Sequence, residues 1–463
     1  MDHQISFNPE LIRRYDTVGP RYTSYPTAVQ FHERFGETQY RACARATNDD
    51  PIPRPLSLYI HIPFCATVCY YCACNKIVTK NRAHAAAYVT HLEREIELQA
   101  QLFDNDRWVE QLHWGGGTPT FLNHSQMRTL MRATAKHFNL RDDDMGEYSI
   151  EIDPRCVNEL TITLLREIGF NRMSIGIQDF DPHVQEAVNR IQSEEQTLSV
   201  MDAARRHSFK SLNVDLIYGL PLQNVESFAR TLEKVIAADP DRLSIFNYAH
   251  LPQRFKVQRQ IKETDLPSPT EKLGILQHTV ERLTTAGYVY VGMDHFAKPD
   301  DELAVAQRHG TLWRNFQGYS THEECDLVGL GVTAIGMIGD TYAQNVHDLE
   351  RYYQCIDAGR LAVCRGVALS TDDQLRREVI MQLICHFALD IRRLEEEWRI
   401  KFTEYFAPEC RKLEAFVLNG LIALDNGVLR VLPAGRLLIR SICMVFDQYL
   451  QKGPVKQKFS RVI

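Results

Sequence analysis

The sequence predicts an α/β fold: a partial, open parallel β/α barrel with an N-terminal arm and a smaller, mostly helical C-terminal domain. Three observations carry this expectation. Strand-like and helix-like runs alternate from about residue 56, polar or glycine-rich residues crowd the segments that leave the strand-like runs, and the pattern changes to helices from about residue 366.

The strand candidates are 56–62 (L-S-L-Y-I-H-I), 108–114, 147–152 (E-Y-S-I-E-I), 172–177 (R-M-S-I-G-I), 211–218 (S-L-N-V-D-L-I-Y) and 242–247 (R-L-S-I-F-N). Their β-branched and aromatic content suits strands buried on both faces. Between them, 83–103 sets Tyr88, Leu92, Ile96 and Phe103 on one face, and 224–238 does the same with Phe228, Leu232, Val235 and Ile236. Spacings of three, four and seven are the amphipathic helical signature, and 124–138, 157–168 and 194–208 share it. Six units fall short of the eight of a full barrel, and 288–293 (Y-V-Y-V-G-M) after a helix at 271–286 offers a seventh strand. In such sheets the chemistry belongs at the C-terminal strand ends. There the chain places Pro63 to Cys74, Gly115-Gly116-Gly117-Thr118, Glu151-Ile152-Asp153-Pro154 and Gln178-Asp179.

Farther on, Ser370-Thr371-Asp372 supplies N-cap candidates before Leu375, Val379 and Leu383. Asp425-Asn426-Gly427 between 421–424 and 428–431 is a hairpin turn signal. The expected division is an arm at 1–54 contacting the active site, the barrel with its extension at 55–365, and a helical, winged-helix-like domain at 366–463. A winged module invites a DNA-binding reading. The small basic tail (Lys456, Lys458, Arg461) on an acidic chain opposes it and favours a cover or packing domain.

The 463 residues carry 53 Lys+Arg against 59 Asp+Glu, a formal charge of −6, so no nucleic-acid partner is expected. No apolar run approaches the ~18 residues needed to cross a bilayer. The N-terminus, with Asp2, Glu10, Arg13 and Arg14, lacks the form of a signal peptide, so the expected location is the cytoplasm, without a membrane partner. Neither a heptad run nor a long apolar stripe is evident, and a monomer is expected.

Of the 12 cysteines, Cys65, Cys69, Cys72 and Cys74 fall within ten residues (C-A-T-V-C-Y-Y-C-A-C). In a reducing compartment this reads as metal ligation or redox chemistry. The C-x3-C-x2-C triplet on one loop can hold three corners of a cubane cluster and leave the fourth iron open. Zinc competes, but needs a distant fourth ligand or an awkward Cys72/Cys74 pair. A thioredoxin-like pair at Cys69 and Cys72 is weaker, because the spacing does not open a clear helix. Gly329-Leu-Gly331-Val-Thr-Ala334 matches a relaxed dinucleotide fingerprint, but opens no βαβ unit and is rejected.

With Tyr59-Ile-His61-Ile-Pro63-Phe64 before it and Gly115-Gly-Gly-Thr-Pro-Thr120 after it, the triplet resembles the radical S-adenosylmethionine (SAM) superfamily. Cys74 with Asn75-Lys76-Ile77, the lead Gly19-Pro-Arg-Tyr-Thr-Ser-Tyr-Pro26, Asn247-Tyr-Ala-His250, Gly292-Met-Asp-His-Phe-Ala297, Arg314-Asn-Phe-Gln-Gly-Tyr319 and the terminal Phe459-Ser-Arg-Val-Ile463 narrow the likeness. Together they are similar to the oxygen-independent coproporphyrinogen III oxidase family over nearly the whole chain. That resemblance implies an oxidoreductase that decarboxylates two propionates of coproporphyrinogen III to vinyl groups, giving protoporphyrinogen IX in haem biosynthesis. It implies a 5′-deoxyadenosyl radical made from SAM at one [4Fe-4S] cluster, two SAM molecules, and an electron donor and an electron acceptor, both unidentified. A haem-chaperone relative shares the loop, but Cys74 and the N-terminal lead oppose it. An interaction protein stabilised by zinc or a cluster is opposed by the glycine triplet.

Residue by residue, the resemblance makes Cys65, Cys69 and Cys72 cluster ligands. It places Tyr59, Gly116, Gly117, Thr118, Glu151 and Ile335 against the cluster-bound SAM. Tyr71, Gln178, Arg190, Asp215 and Ala249 match positions of a second SAM, although Arg190 and Asp215 equally suit a structural ion pair. Cys74 matches a cysteine that is not a ligand, and otherwise reads as a small hydrophobe buried under the loop. Arg21, Lys76 and Arg314 are candidates for the substrate carboxylates. His295 and Asp294 are candidates for tuning protonation.

Overall fold

The computed structural model describes residues 5–451 together with Phe459 and Arg461. Lys456, Lys458 and most of the terminal block 459–463 lie outside the described residues. The chain forms two compact units. One joins Phe31–Lys272 to Glu324–Ala368, and the other joins Met1–Gln30, Leu273–Glu323 and Leu369–Ile463.

The first unit holds strands β1 (Leu56–Ile62), β2 (Trp108–Gly116), β3 (Glu147–Ile152), β4 (Arg172–Gln178), β5 (Ser211–Tyr218), β6 (Arg242–Asn247), β7 (Asp326–Leu330), β8 (Ile335–Ile338), β9 (Thr341–Asn345) and β10 (Val363–Ala368). The order β6-β5-β4-β3-β2-β1-β7 is parallel throughout. From β7 the sheet continues antiparallel through β8, β9 and β10, and its order does not close. The open parallel sheet was expected. Its continuation was not: β1 lies inside the sheet, between β2 and β7, rather than at its edge. The interior position suits its composition, since Leu58, Ile60 and Ile62 are fully buried.

The return helices are α1 (Ala83–Ala100), α2 (His124–His137), α3 (Glu159–Glu167), α4 (Glu194–Arg206) and α5 (Val225–Ala237). The last four start on Asn123, Asn158, Ser193 and Asn224, whose side chains accept amide hydrogen bonds from Gln126, Thr161, Gln196 and Ser227. Each cap satisfies an orphan donor and marks where the chain leaves its loop. Glu95 of α1 is buried and ties the β7–β9 region together. Its carboxylate accepts from the Gly331 amide, the Tyr352 hydroxyl and the Asn345 amide group, each at 2.7 Å, and burial pushes its pKa up to about 7.

In the second unit, Val289–Gly292 is not a seventh parallel βα strand. It forms an antiparallel hairpin with His295–Ala297, turned by Met293 and Asp294 at positive φ. Two successive positive φ values give the turn whose twist matches a hairpin, which ends the βα alternation. Ser370 caps the helix Thr371–His386, and Asn426 and Gly427 turn the hairpin Ile422–Asp425/Val428–Val431, to which Ala388–Asp390 adds a third strand. Among the described residues, no helix is long and apolar enough to cross a membrane.

One buried ion pair fixes the start of the β1/β7 pairing. Arg107 Nη2 donates to Asp326 Oδ2 at 2.6 Å, and Arg107 also donates to the Arg54 carbonyl and Thr47 Oγ1, while the Asp326 amide donates to the Pro55 carbonyl. Removing one partner strands a charge in the core, so Asp326→Ala lowers the unfolding free energy by about 3–5 kcal/mol, read from the denaturant midpoint.

Candidate active site

The loop after β1 carries the cysteines, and the protein holds it at its backbone. The Tyr70 amide donates to the Val188 carbonyl (2.9 Å), Asn189 Nδ2 donates to the Val68 carbonyl (2.7 Å), and Lys76 Nζ donates to the Cys72 carbonyl (3.1 Å). Tyr70 and Tyr71 pack on a cluster of Val184, Val188, Leu220, Tyr248 and Ile261. Lys76 is therefore engaged in bracing the loop.

The three sulfurs have distinct surroundings. Thr118 Oγ1 donates to Cys65 Sγ at 3.5 Å, and burial raises that thiol to about 11. Cys69 is buried and receives Arg190 Nη1 at 3.6 Å and Arg155 Nη2 at 3.7 Å. The Cys72 thiol is lowered to about 6, first by the Cys74 thiol bonded to it and then by Lys76 against the opposing effect of burial. Cys74 does not lie beneath the loop as a small hydrophobe: it is exposed, and its thiol shares a hydrogen bond with that of Cys72.

At the strand ends, Glu151 is the hub. Its Oε2 accepts from the Gly116 amide at 3.0 Å, and its Oε1 lies 3.5 Å from His113 Nε2, whose Nδ1 meets Ser149 Oγ at 2.6 Å. Burial would raise this carboxyl, but His113 and the Gly116 amide hold it below the ordinary range. Tyr59 lies in the middle of β1, which runs three residues past it, rather than at the strand's end. Its ring stacks on His113 at 5.8 Å and its hydroxyl meets His61 Nδ1 at 3.0 Å. His61 Nε2 faces the Asn75 carbonyl at 3.2 Å, which requires the proton on Nε2 and leaves Nδ1 to accept from Tyr59. Burial lowers the pKa of this histidine, keeping it neutral.

The glycine run is needed by the protein's own packing. At Gly116, with φ +116°, a Cβ would lie 2.6 Å from the His61 ring, and at Gly117 it would lie 2.7 Å from the Pro63 carbonyl group.

Arg190 and Asp215 do not pair with each other. Arg190 Nη1 is 3.3 Å from Asp153 Oδ2, which also holds Arg155 Nη2 at 2.7 Å, and Arg190 Nη2 donates to the Gly176 carbonyl at 2.7 Å. Asp153 caps the turn after β3, its side chain also accepting from the Arg155 amide. Asp215 instead accepts from Ser174 Oγ (2.9 Å) and Asn213 Nδ2 (2.8 Å), and burial, with the charge of Glu151, pushes it up to about 6. Gln178 ends β4 at φ 68° across a register shift, a strained conformation that re-aims a side chain. Burial raises the Tyr71 phenol far above its ordinary value, and the phenol senses both Arg190 and Cys69.

Gln258, which has no signal in the sequence, connects the rest. Buried in a 3-10 turn, its Nε2 donates to the Tyr71 carbonyl (3.0 Å) and the Ala249 carbonyl (3.2 Å), and its Oε1 accepts from the Leu251 amide (2.6 Å). Ile335 opens β8 opposite Gln344, with its carbonyl group packed against Gly329, the residue in register with Tyr59 on β1.

Residues 59–235 match the radical SAM superfamily, and residues 369–438 match the HemN C-terminal domain. The oxygen-independent coproporphyrinogen III oxidase of Pseudomonas aeruginosa is 56% identical over 99% of this chain and 99% of its own. The chain belongs to the oxygen-independent coproporphyrinogen III oxidases. The Escherichia coli member is 52% identical over 99% of both chains. The solved structure of coproporphyrinogen III oxidase (HemN) from E. coli, described as a radical SAM enzyme, superposes with a TM-score of 0.91 at 51% identity, covering 96% of this chain and 100% of that one.

A radical SAM oxidase uses a [4Fe-4S] cluster and SAM, and the cysteine loop of this oxidase suits the cluster. Among the described residues, the sulfurs of Cys65, Cys69 and Cys72 do not all come within 4.8 Å of one another. A single tetrahedral zinc would need its thiolates about 3.8 Å apart, whereas a cubane takes each sulfur to a separate iron. Hydroxyl and guanidinium donors already stand at the Cys65 and Cys69 sulfurs, where they would tune a cluster held there. Cys69→Ser abolishes iron binding on anaerobic reconstitution while the chain stays folded by circular dichroism. Retained stoichiometric iron would remove Cys69 from the ligand set.

Proposed function

We propose that this chain carries out the anaerobic oxidative decarboxylation of two propionate side chains of coproporphyrinogen III to vinyl groups, giving protoporphyrinogen IX, with Cys65, Cys69 and Cys72 holding the cluster. The observation that carries this reading is the cysteine loop at the end of β1 beside Glu151, in a chain 56% identical to a named oxidase along 99% of its length. When bound, the cluster gives one electron to SAM, whose cleavage supplies the group that takes hydrogen from an unactivated carbon. For each propionate, the β-carbon gives up a hydrogen atom, and CO₂ and one electron leave. An electron acceptor completes each turnover.

The protein's part is to bind, orient and exclude. Glu151 would offer carboxylate oxygens to hydroxyl or amino hydrogens of the first SAM, Gly116, Gly117 and Thr118 would meet its methionine portion, and Tyr59 and Ile335 would complete the site, Ile335 toward the adenosyl part. His61, buried and neutral, adds no charge to this end of the sheet. Tyr71, Gln178, Arg190, Asp215 and Ala249 would hold the second SAM. In support, Gln258 bonds the carbonyls of Tyr71 and Ala249 together, and Arg190 reaches the loop that carries Tyr71. The abundance of unpaired thiols agrees with a reducing cytoplasm, and exposed large hydrophobics at separated positions such as Ile52, Met145 and Leu418 agree with a monomer.

The deciding assay is anaerobic reconstitution followed by SAM, a reductant and coproporphyrinogen III. Protoporphyrinogen IX and 5′-deoxyadenosine are expected together, and cleavage of SAM with the tetracarboxylate untouched would reject the reading. A second expectation concerns acidity. Asp215 has its pKa raised to about 6, so it is a charged acceptor above that pH and, as pH falls through it, becomes a neutral acid whose acceptance of hydrogen bonds is weaker. Equilibrium dialysis should find the second SAM bound about ten- to a hundredfold more weakly well below pH 6 than above it, and Asp215→Asn should bind it weakly with no such pH dependence.

A further inference from the structure

Within the second unit, the hairpin Trp313–Asn315/Gly318–Ser320 presents an arginine in a state that a folded protein seldom keeps. Arg314 is 5% exposed, its guanidinium sits 4.7 Å over the Tyr319 ring, and its Nε and Nη1 have no hydrogen-bond partner. The aromatic face offsets part of the cost of burying the charge, but leaves these two donors desolvated and unsatisfied. A buried cation of this kind calls for an anion.

The surroundings add positive charge. Arg440 is buried, with Nε donating to the Pro20 carbonyl (3.1 Å) and Nη2 to the Gly19 carbonyl (2.5 Å), which sets the backbone immediately before Arg21. Burial, then Arg21, then Arg314 among other neighbours bring Arg440 down to about 10. His295 lies edge-on to Tyr319 at 5.3 Å, with Nδ1 at the Met293 carbonyl, and burial followed by Arg314 lowers it to about 4, so it contributes no charge near neutral pH. Asp294 lies 3.3 Å from Arg21, in a pair whose side chains remain 25% and 33% accessible. A pair so open contributes little, so replacing Asp294 by another carboxylate at Arg21 costs little.

We infer that Arg314, Arg21 and Arg440 form a carboxylate-binding site for propionate groups of the tetracarboxylate substrate. Arg314 is its buried anchor, Arg21 is the exchangeable contact, and Arg440 positions Arg21. The inference rests on the function proposed above for its choice of ligand. Lys76, committed to the Cys72 carbonyl, has no part in it.

The test is binding of coproporphyrin III, the stable oxidised form of the substrate, and of its tetramethyl ester to the reconstituted holoenzyme, read by quenching of protein fluorescence. The wild type should prefer the free acid. Arg314→Gln should lose about ten- to a hundredfold in affinity for the acid with the ester unchanged, as expected for a charged hydrogen bond. Arg314→Lys should recover part of the loss, and Arg21→Gln should show a smaller one. A folded Arg314→Gln with wild-type affinity for the acid, or with equal losses for acid and ester, would overturn the site. Should Arg314→Gln fail to fold, an unchanged acid-to-ester ratio in Arg21→Gln overturns it instead. A wild type with this arginine-dependent preference that nevertheless leaves coproporphyrinogen III unconverted would reject the proposed function and leave the carboxylate site standing.

Discussion

The first unit depends on one strand being hydrogen-bonded along both edges. β1 pairs with β2 from Leu56 to Ile62 and with β7 from Leu56 to Ile60, so its direction and height are fixed before the chain enters the cysteine loop. Parallel neighbours place Gly116 of β2 and Glu151 of β3 at the same end of the sheet as that loop. A shift of β1 by one residue would reverse which faces Tyr59 and His61 occupy, and with them the stack on His113 and the bond to Asn75. The buried Arg107–Asp326 pair at the opposite end opposes that slip.

A second layer of order comes from charge. Asp153 collects Arg155 and Arg190, and both guanidinium groups then reach the Cys69 sulfur. The carboxylate offsets much of the cost of burying Arg190, and the remaining donors point at the Cys69 sulfur, where a thiolate would carry negative charge. One network therefore holds the turn after β3, the Gly176 carbonyl of β4 and the cysteine loop in a common frame.

Much of this was legible in the chain. The first six strands were placed to within two residues, because apolar runs between helical stretches have few other uses, and Asn426-Gly427 turns its hairpin as its composition requires. What escaped was non-local. β7 and β8 contain Gly329 and Gly336 and are short, so they lack the β-branched run that announced the others. From the sequence alone Arg190 suits an ion pair with Asp215, whereas the fold gives it Asp153. Gln258 sits in a short turn without periodicity, where a glutamine looks like any solvated side chain. The unusual φ of Gln178 could not be foreseen, since nothing local demands it.

The fastening of the cysteine loop has a further consequence. Val188, Asn189 and Gln258 bind its backbone from outside, and Tyr70 and Tyr71 anchor it in an apolar cluster. Its shape thus comes from protein-to-protein bonds, unlike that of a zinc finger, which folds only as its metal arrives. Iron and sulfide lost to oxidation would leave the loop's backbone still braced, so that refilling, rather than new synthesis, would restore the protein.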